Sequence, residues 1–493
     1  FGLSYTQFSL TVQNVTETAQ AIRAFVLVTN TGDYSGKEVV QMYYSAPQGL
    51  LQKPARELSA FCKTRTLLPG ESQLLTLETA KDSMASYDDL GKIFKSSYIL
   101  EKGDYHFYIG TSVRDVTALD YVMTLNTDLL VEQLSSKAAP TSLKKRLLAD
   151  GSYEELPQGT ANDPNACVFE KMVPGTEEAL APATRGRASC LLLNSYKENA
   201  HPLIDVYEGK ISLDEFIAQL DDDDLIHLLG GQPNTSVANT YGYGNLPEYG
   251  VPNIMTADGP AGLRINPQCE VCTTAWPCAT LLASTWNPAL VERVGTAGAE
   301  EVKENNIAVW LTPAVNIHRN PLCGRNFEYY SEDPLLAGKT GAAMVRGIQS
   351  QHIAAAVKHF ACNNKETNRK HSDSRVSERA LREIYLKAFE IIVKEADPWV
   401  IMSAYNMING HRASENHDLL EGILRDEWHF HGMVTSDWWT RGEHYKEIKA
   451  GNDVKMACGF PERVKTAMEL GALGRSDLER CAKRVLDLIL KID

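Results

Sequence analysis

The sequence predicts a multidomain protein combining α/β and all-β parts: a (β/α)8 barrel of the TIM type preceded by an N-terminal β-sandwich. Three observations carry this. Apolar strand-like runs with turn signals fill the first 127 residues, helix and short strand alternate over roughly the last 280, and the second set of strands ends repeatedly in polar residues. The 493 residues suffice for two or three cored domains, and 43% hydrophobic with 23% charged residues is ordinary for a globular chain.

In the first part, Phe8-Ser-Leu-Thr-Val, Ile22-Arg-Ala-Phe-Val-Leu-Val and Val39-Val-Gln-Met-Tyr-Tyr read as strands. Asn30-Thr-Gly-Asp and Leu68-Pro-Gly-Glu read as turns between them. Gly103-Asp-Tyr-His-Phe-Tyr-Ile-Gly110 alternates strictly and is expected to close the sandwich. Residues 128–210 read as a connector wrapping the domains, its short helical pieces broken at Ala138-Ala-Pro, Leu156-Pro-Gln-Gly-Thr and Val173-Pro-Gly-Thr.

From 211 to 493 the grammar is that of a parallel sheet with crossover helices. Helices are expected at Asn287–Asn306, Glu332–Gln351, Ser377–Glu395 and Asn416–Phe430. Strands are expected at Asn253–Ala257, Ala308–Val315, Ile353–Val357, Trp399–Ala404 and Gly432–Ser436, with Ala279–Ser284 a further candidate. Five or six units are explicit, and eight are inferred from the length.

The formal charge of −14 and the lack of a basic run argue against nucleic acid or an anionic membrane as partner, and no apolar run reaches the roughly 20 residues of a membrane-spanning helix. Ten irregularly spaced cysteines favour a reducing, cytoplasmic compartment. Cys269-Glu-Val-Cys272, with Cys278 close by, has the spacing of a metal or redox pair but no completing ligands, so no metal is expected. No organic cofactor is expected either.

The strand ends carry chemistry. Asp258, Asn316, Lys358 with His359, Tyr405 with Asn406, and Asp437 would gather at one mouth of a barrel. Asp437 ends an apolar run and is followed by two indoles, Trp438 and Trp439. A carboxylate beside a flat aromatic surface suits attack on an anomeric carbon, although an isolated Ser-Asp-Trp also fits an Asp that caps the next segment.

Six motifs in order, Asp258-Gly-Pro-Ala-Gly-Leu-Arg264, Gly324-Arg-Asn-Phe-Glu-Tyr-Tyr-Ser-Glu-Asp-Pro334, Val357-Lys-His-Phe360, Glu378 to Leu386, Met402-Ser-Ala-Tyr-Asn406 and Thr435-Ser-Asp-Trp438, resemble those of glycoside hydrolase family 3. Lys53-Pro-Ala-Arg-Glu-Leu-Ser-Ala-Phe61 and Leu68-Pro-Gly-Glu71 resemble the fibronectin type III-like domain of the same enzymes.

The resemblance implies Asp437 as nucleophile of a retaining mechanism. Asp258, Arg325, Lys358 and His359 would grip the hydroxyls of the non-reducing terminal sugar, Tyr405 would lie close to the nucleophile, Trp438 would form a wall of the first sugar subsites, and Arg264 and Met402 would line the site. It also implies a permuted domain order and an absent α/β sandwich domain. That domain would carry the acid/base, on a segment cleaved off, separate or omitted, and Phe1-Gly-Leu-Ser-Tyr-Thr resembles the junction where it ends. His371-Ser-Asp373 lacks the motif that supplies the acid in the hexosaminidase branch, and Glu366 and Glu328 read as supporting groups. The activity implied is an exo-acting β-glucosidase on short β-glucosides or cello-oligosaccharides. A β-xylosidase or mixed-specificity enzyme is the alternative, and a non-catalytic carbohydrate-binding remnant is the reading from another class. A homo-oligomer stays open.

Overall fold

Alternation of side chains dictates the first sheets. In the computed structural model, which describes residues 4–140, 142–148, 150–156, 173–175 and 196–492, β1 (Phe8–Glu17), β2 (Ala21–Asn30), β3 (Val39–Ser45), β4 (Glu57–Lys63) and β5 (Ser72–Ala80) follow one another. Next come β6 (Ser86–Asp88), β7 (Ser97–Leu100), β8 (Gly103–Gly110) and β9 (Val116–Leu125).

Two antiparallel sheets, β1-β2-β5 and β4-β3-β8-β9, share a core in which Ile22, Ala24, Val26 and Val28 meet Met42, Tyr105, Phe107 and Ile109. The edge strand is β9, not β8. Its inward residues Leu119 and Met123 alternate with exposed Asp120 and Thr124, but the outward, exposed Val122 blurs the pattern.

Beyond it the chain departs from short helical pieces. β10 (Leu129–Gln133) pairs back onto β7, and β11 (Lys145–Leu147) forms a hairpin with β12 (Tyr153–Glu155). Gly151, at φ +84°, turns that hairpin, and ion pairs of Arg146 with Asp89 and Glu154 tie it down. The expected breaks at Pro157–Thr160 and at Thr176, the residues Phe1-Gly-Leu3, and Cys167 and Cys190 lie outside the described residues. Val173-Pro-Gly175 is pinned by Arg463, whose guanidinium donates to all three carbonyls.

Three short helices, α1 (Leu203–Tyr207), α2 (Leu213–Ala218) and α3 (Asp222–Leu228), lead into the second sheet. Ser212 and Asp221 start α2 and α3 with complete capping boxes. The strands that follow are β13 (Gly242–Leu246), β14 (Val251–Ala257), β15 (Val309–Trp310) and β16 (Ala354–Phe360). β17 (Asp373–Ser374), β19 (Met407–Ile408) and β20 (His411–Arg412) form a small side sheet, and β18 (Val400–Ser403) and β21 (Met433–Ser436) complete the main one.

The main order is β13-β14-β15-β16-β18-β21, parallel from β14 onward. Its ends are linked. Thr435 bridges Val454, Lys455 bridges Gly230, and Gln232 bridges Gly242, so the sheet curls back to its first strand.

Helices α4 (Ala279–Ala283), α5 (Pro288–Glu304), α6 (Pro334–Gln349), α7 (Glu378–Ala380) and α8 (Lys387–Ala396) cover one side. A π-helical turn at Asp418–Glu427 and then α9 (His444–Ala450), α10 (Pro461–Glu469) and α11 (Arg475–Lys491) cover the rest. Alternate strand residues enter two cores: Trp310, Ala355, Val357, Ile401 and Val434 pack under the helices, while Val309, Ala354, Ala356, Val400 and Met433 enter the other. Burial on both faces explains why these strands read as continuous apolar runs.

Two expectations are corrected. Ala279–Ser284 is helix α4, because Ala279, Leu282 and Ala283 bury one face at helical spacing. The β13–β14 hairpin is antiparallel and has no crossover helix.

The two parts meet through buried polar groups. Glu378, 1% exposed, pairs with Arg382 at 3.0 Å and accepts from Tyr87 Oη, Ser136 Oγ and the Lys137 amide. Phe61 packs edge-on to Trp286 with centroids 5.2 Å apart. Glu378→Ala orphans this set and is expected to cost ~3–5 kcal/mol in urea unfolding of the whole chain. A loss under about 1 kcal/mol would mean the contact is no stronger than a surface ion pair.

Candidate active site

Parallel strands deliver their ends to one side, and there the structure places a cavity of about 460 Å³. Asp258 follows β14, Lys358 and His359 end β16, Tyr405 follows β18, and Asp437 and Trp438 follow β21. The loop after β15 adds Arg325, Met402 gives an apolar patch, and Arg264 stands at the rim. All nine site residues read from the sequence line this one space.

Asp437 is fixed by its backbone. Its N–H donates to the Ser403 carbonyl at 3.1 Å, and Ser436 Oγ bridges the Asp437 carbonyl and the Met456 amide. Oδ1 accepts the Trp438 amide at 2.7 Å, while Oδ2 makes no hydrogen bond among the described residues and lies 3.8 Å from His359 Nε2. Burial pushes this carboxyl above the usual range, and Arg325 and Lys358 pull it back toward the anion.

A second carboxylate is paired from both sides. Asp258 accepts Lys358 Nζ at 2.9 Å and Arg264 Nη1 at 3.1 Å. Against the upward push of burial, Lys358, then the Gly259 amide and then Arg264 bring its pKa down to about 2. His359 is driven well below its ordinary value by burial, then by Arg325, Lys358 and Arg369, so its ring is neutral. The Tyr405 hydroxyl donates to the Trp438 carbonyl at 2.6 Å, which sets the indole's wall, and Trp438 Nε1 is buried without a partner among the described residues.

Some expectations shift. Asn316 and Asn406 do not line the cavity. Both are buried behind it, Asn316 against His359 and Asn406 on the Ala361 carbonyl. Trp439 turns away to meet Tyr241 with centroids 6.3 Å apart, because its backbone takes a left-handed φ of +58°. Asp373 accepts the Gly410 amide in the side sheet rather than facing the cavity.

Sequence reading missed Asn239, Thr240, Phe327 and Arg369 as lining residues. Arg369 sits three residues after Glu366, pairs with it at 3.1 Å, and lays its guanidinium 4.6 Å from the Tyr405 ring centre. That i, i+3 charge pair was the available signal. Among the described residues no cluster of His, Cys, Asp and Glu is arranged to hold a metal, and Cys269, Cys272 and Cys278 are free thiols.

Cations and an imidazole around two carboxylates, in a cleft walled by an indole, suit a neutral polyhydroxylated ligand. One carboxylate oxygen left uncommitted is compatible with the chemistry of a glycoside hydrolase. Residues 244–488 match the Glycosyl hydrolase family 3 N terminal domain and residues 38–113 the Fibronectin type III-like domain. The chain belongs to glycosyl hydrolase family 3.

It is 57% identical to Beta-glucosidase A of Butyrivibrio fibrisolvens over 97% of its own length, and 37% identical to a Beta-glucosidase of Ruminococcus albus over 99%. It spans 60% and 52% of the lengths of those two relatives. A solved beta-glucosidase structure from Paenibacillus barengoltzii is similar with a TM-score of 0.88 and 41% identity, over 100% of this chain and 56% of that one.

Lys358→Met removes the main pull on Asp258 and is expected to raise that carboxyl's pKa. A depressed carboxyl stabilises the fold above its unfolded value near 3.8, and the contribution is lost as pH falls through the folded value of about 2. In the variant the loss should begin at higher pH, as read by thermal melting from pH 6 downward. An unchanged acid limb would refute the pairing.

Proposed function

We propose that the chain carries the sugar pocket and the nucleophile of a retaining, exo-acting β-glucosidase that releases terminal β-D-glucosyl residues from short β-glucosides or cello-oligosaccharides. The observation that carries this is Asp437 Oδ2, buried at the cavity, free of hydrogen bonds among the described residues, and kept toward the anion by Arg325 and Lys358.

In this reading Oδ2 attacks the anomeric carbon and a covalent glycosyl ester forms as the bond to the leaving oxygen breaks. The leaving oxygen takes a proton from an acid, and water then cleaves the ester with overall retention. Asp258 accepts from sugar hydroxyls while Lys358 and Arg325 orient others, His359 backs Arg325 from behind, and Trp438 stacks on the apolar sugar face.

Every other carboxylate lining the cavity is paired with a cation: Asp258 with Lys358, Glu328 with Arg325, and Glu366 with Arg369. Groups so paired are poor proton donors. The proposal therefore assigns the acid/base to a segment of the longer protein, outside this chain. That assignment fits relatives of greater length that bear β-glucosidase names. The proposal includes a domain layout of sandwich 1–127, wrapping segment 128–210 and barrel 211–493, with the curled sheet as a (β/α)8-type barrel and the fibronectin-like part placed before it.

Incubation with an activated 2-deoxy-2-fluoro-β-glucoside is expected to leave a fluoroglucosyl ester on Asp437, found by intact mass and peptide mapping, and Asp437→Ala should take up none. Labelling at another residue would overturn the nucleophile. Asp258→Ala is expected to weaken glucose binding about 10- to 100-fold in calorimetry, the usual worth of hydrogen bonds to a charged group. Unchanged affinity would remove Asp258 from the pocket's working set.

A further inference from the structure

Arg325 meets His359 in a way that fixes the ring's protons. A guanidinium has only donors, and Arg325 Nη2 lies 2.8 Å from His359 Nε2. At that distance Nε2 must be the accepting, unprotonated nitrogen, since a proton there would oppose two donors and place two positive charges side by side. The ring proton is therefore on Nδ1.

Nδ1 faces Asn316 Oδ1 at 3.3 Å. The same amide is held by the backbone of its neighbour: Oδ1 also accepts the His359 N–H at 2.9 Å, and Nδ2 donates to the His359 carbonyl at 2.9 Å. A flipped amide would set donor against donor and acceptor against acceptor, so its orientation is not free. Asn316 and His359 are each 1% exposed, so water does not substitute for these bonds.

We propose that Asn316 is a positioning residue that locks His359 as the neutral Nδ1–H tautomer, whose Nε2 lone pair then aims Arg325 into the sugar cavity beside Asp437. The role deepens the glucosidase reading and rests on it for its link to sugar binding. Arg325 is thereby held on two edges, by Glu328 at Nε and by His359 at Nη2.

The charged and titratable groups around the ring come from four segments. They are Arg325 with Glu328 and Tyr329 after β15, Lys358 in β16, Arg369 after β16, and Asp437 after β21. Protonation of Nε2 would release Arg325 and turn the new N–H toward Asp437 Oδ2, 3.8 Å away, occupying the attacking oxygen. The three cations oppose this, and a neutral amide at position 316 adds no charge that would favour it. An aspartate there would face Nδ1–H with a negative charge and reverse the balance.

The test uses the full chain with 15N-labelled histidine and long-range proton–nitrogen NMR, with the His359 signal assigned by its loss in His359→Gln. The wild type is expected to show the neutral Nδ1–H pattern from pH 8 to 5. An Nε2–H pattern or a doubly protonated ring in that range would overturn the proposal. In Asn316→Asp the ring should protonate at higher pH, and glucose affinity, read by tryptophan fluorescence, should fall about tenfold from pH 8 to 5, with the wild type changing less than about twofold.

An Asn316→Asp variant that keeps the wild-type ring state and affinity profile would also overturn the proposal. If the wild type binds no glucose while showing Nδ1–H, and the variant's ring still protonates at higher pH, the sugar reading fails and the hold of Asn316 on His359 stands.

Discussion

The site depends on buried charge held in balance. Burial raises the Asp437 carboxyl above its ordinary value, which works against the anion that the proposed reaction needs. Arg325 and Lys358 oppose that shift, and each is itself held by a second carboxylate, Glu328 or Asp258, so that the cations are not left unpaired in the interior. The arrangement distributes positive charge to the proposed nucleophile without closing a direct ion pair on Oδ2. A hydrogen bond there would satisfy the oxygen and reduce its reactivity.

The same logic extends outward. Ser436, Ser403 and Asn452 lock the backbone beneath Asp437, and Tyr405 holds the Trp438 carbonyl. Farther away, the Glu378–Arg382–Glu427 group joins the sandwich to the helices around the curled sheet. In each place a buried polar group is tolerated because its partners come from different segments, which makes these groups markers of correct assembly as well as sources of stability.

Much of this was readable along the chain. Helices at 288–304, 334–349 and 387–396 and the strands ending at Ala257, Ser403 and Ser436 follow the predicted periodicity closely. The curling of the sheet back toward its first strand was not readable, because Gly230–Gln232 and Val454–Lys455 are only a few residues long and mix glycine and polar side chains with apolar ones. The helix at 279–283 was misread because five apolar or small residues fit either period. Phe327, in a single 3-10 turn, and Arg369, in a turn whose one signal was its pairing with Glu366, escaped because neither segment is long enough for periodicity to mark an inward face.

The sequence by itself determined a strand-rich first part, the alternation of strand and helix in the second, and the residues that end the strands, since periodicity and strand termini are properties of neighbouring positions. It also supplied the six ordered motifs that resemble family 3. Only the tertiary structure decided that Asn316 lies behind His359, that Arg325 pairs with the ring nitrogen, that Trp438 walls the cavity while Trp439 turns away, and that one oxygen of Asp437 is left free. Those facts depend on distances between strands and on how deeply each charge is removed from water, and neither is encoded at any single position.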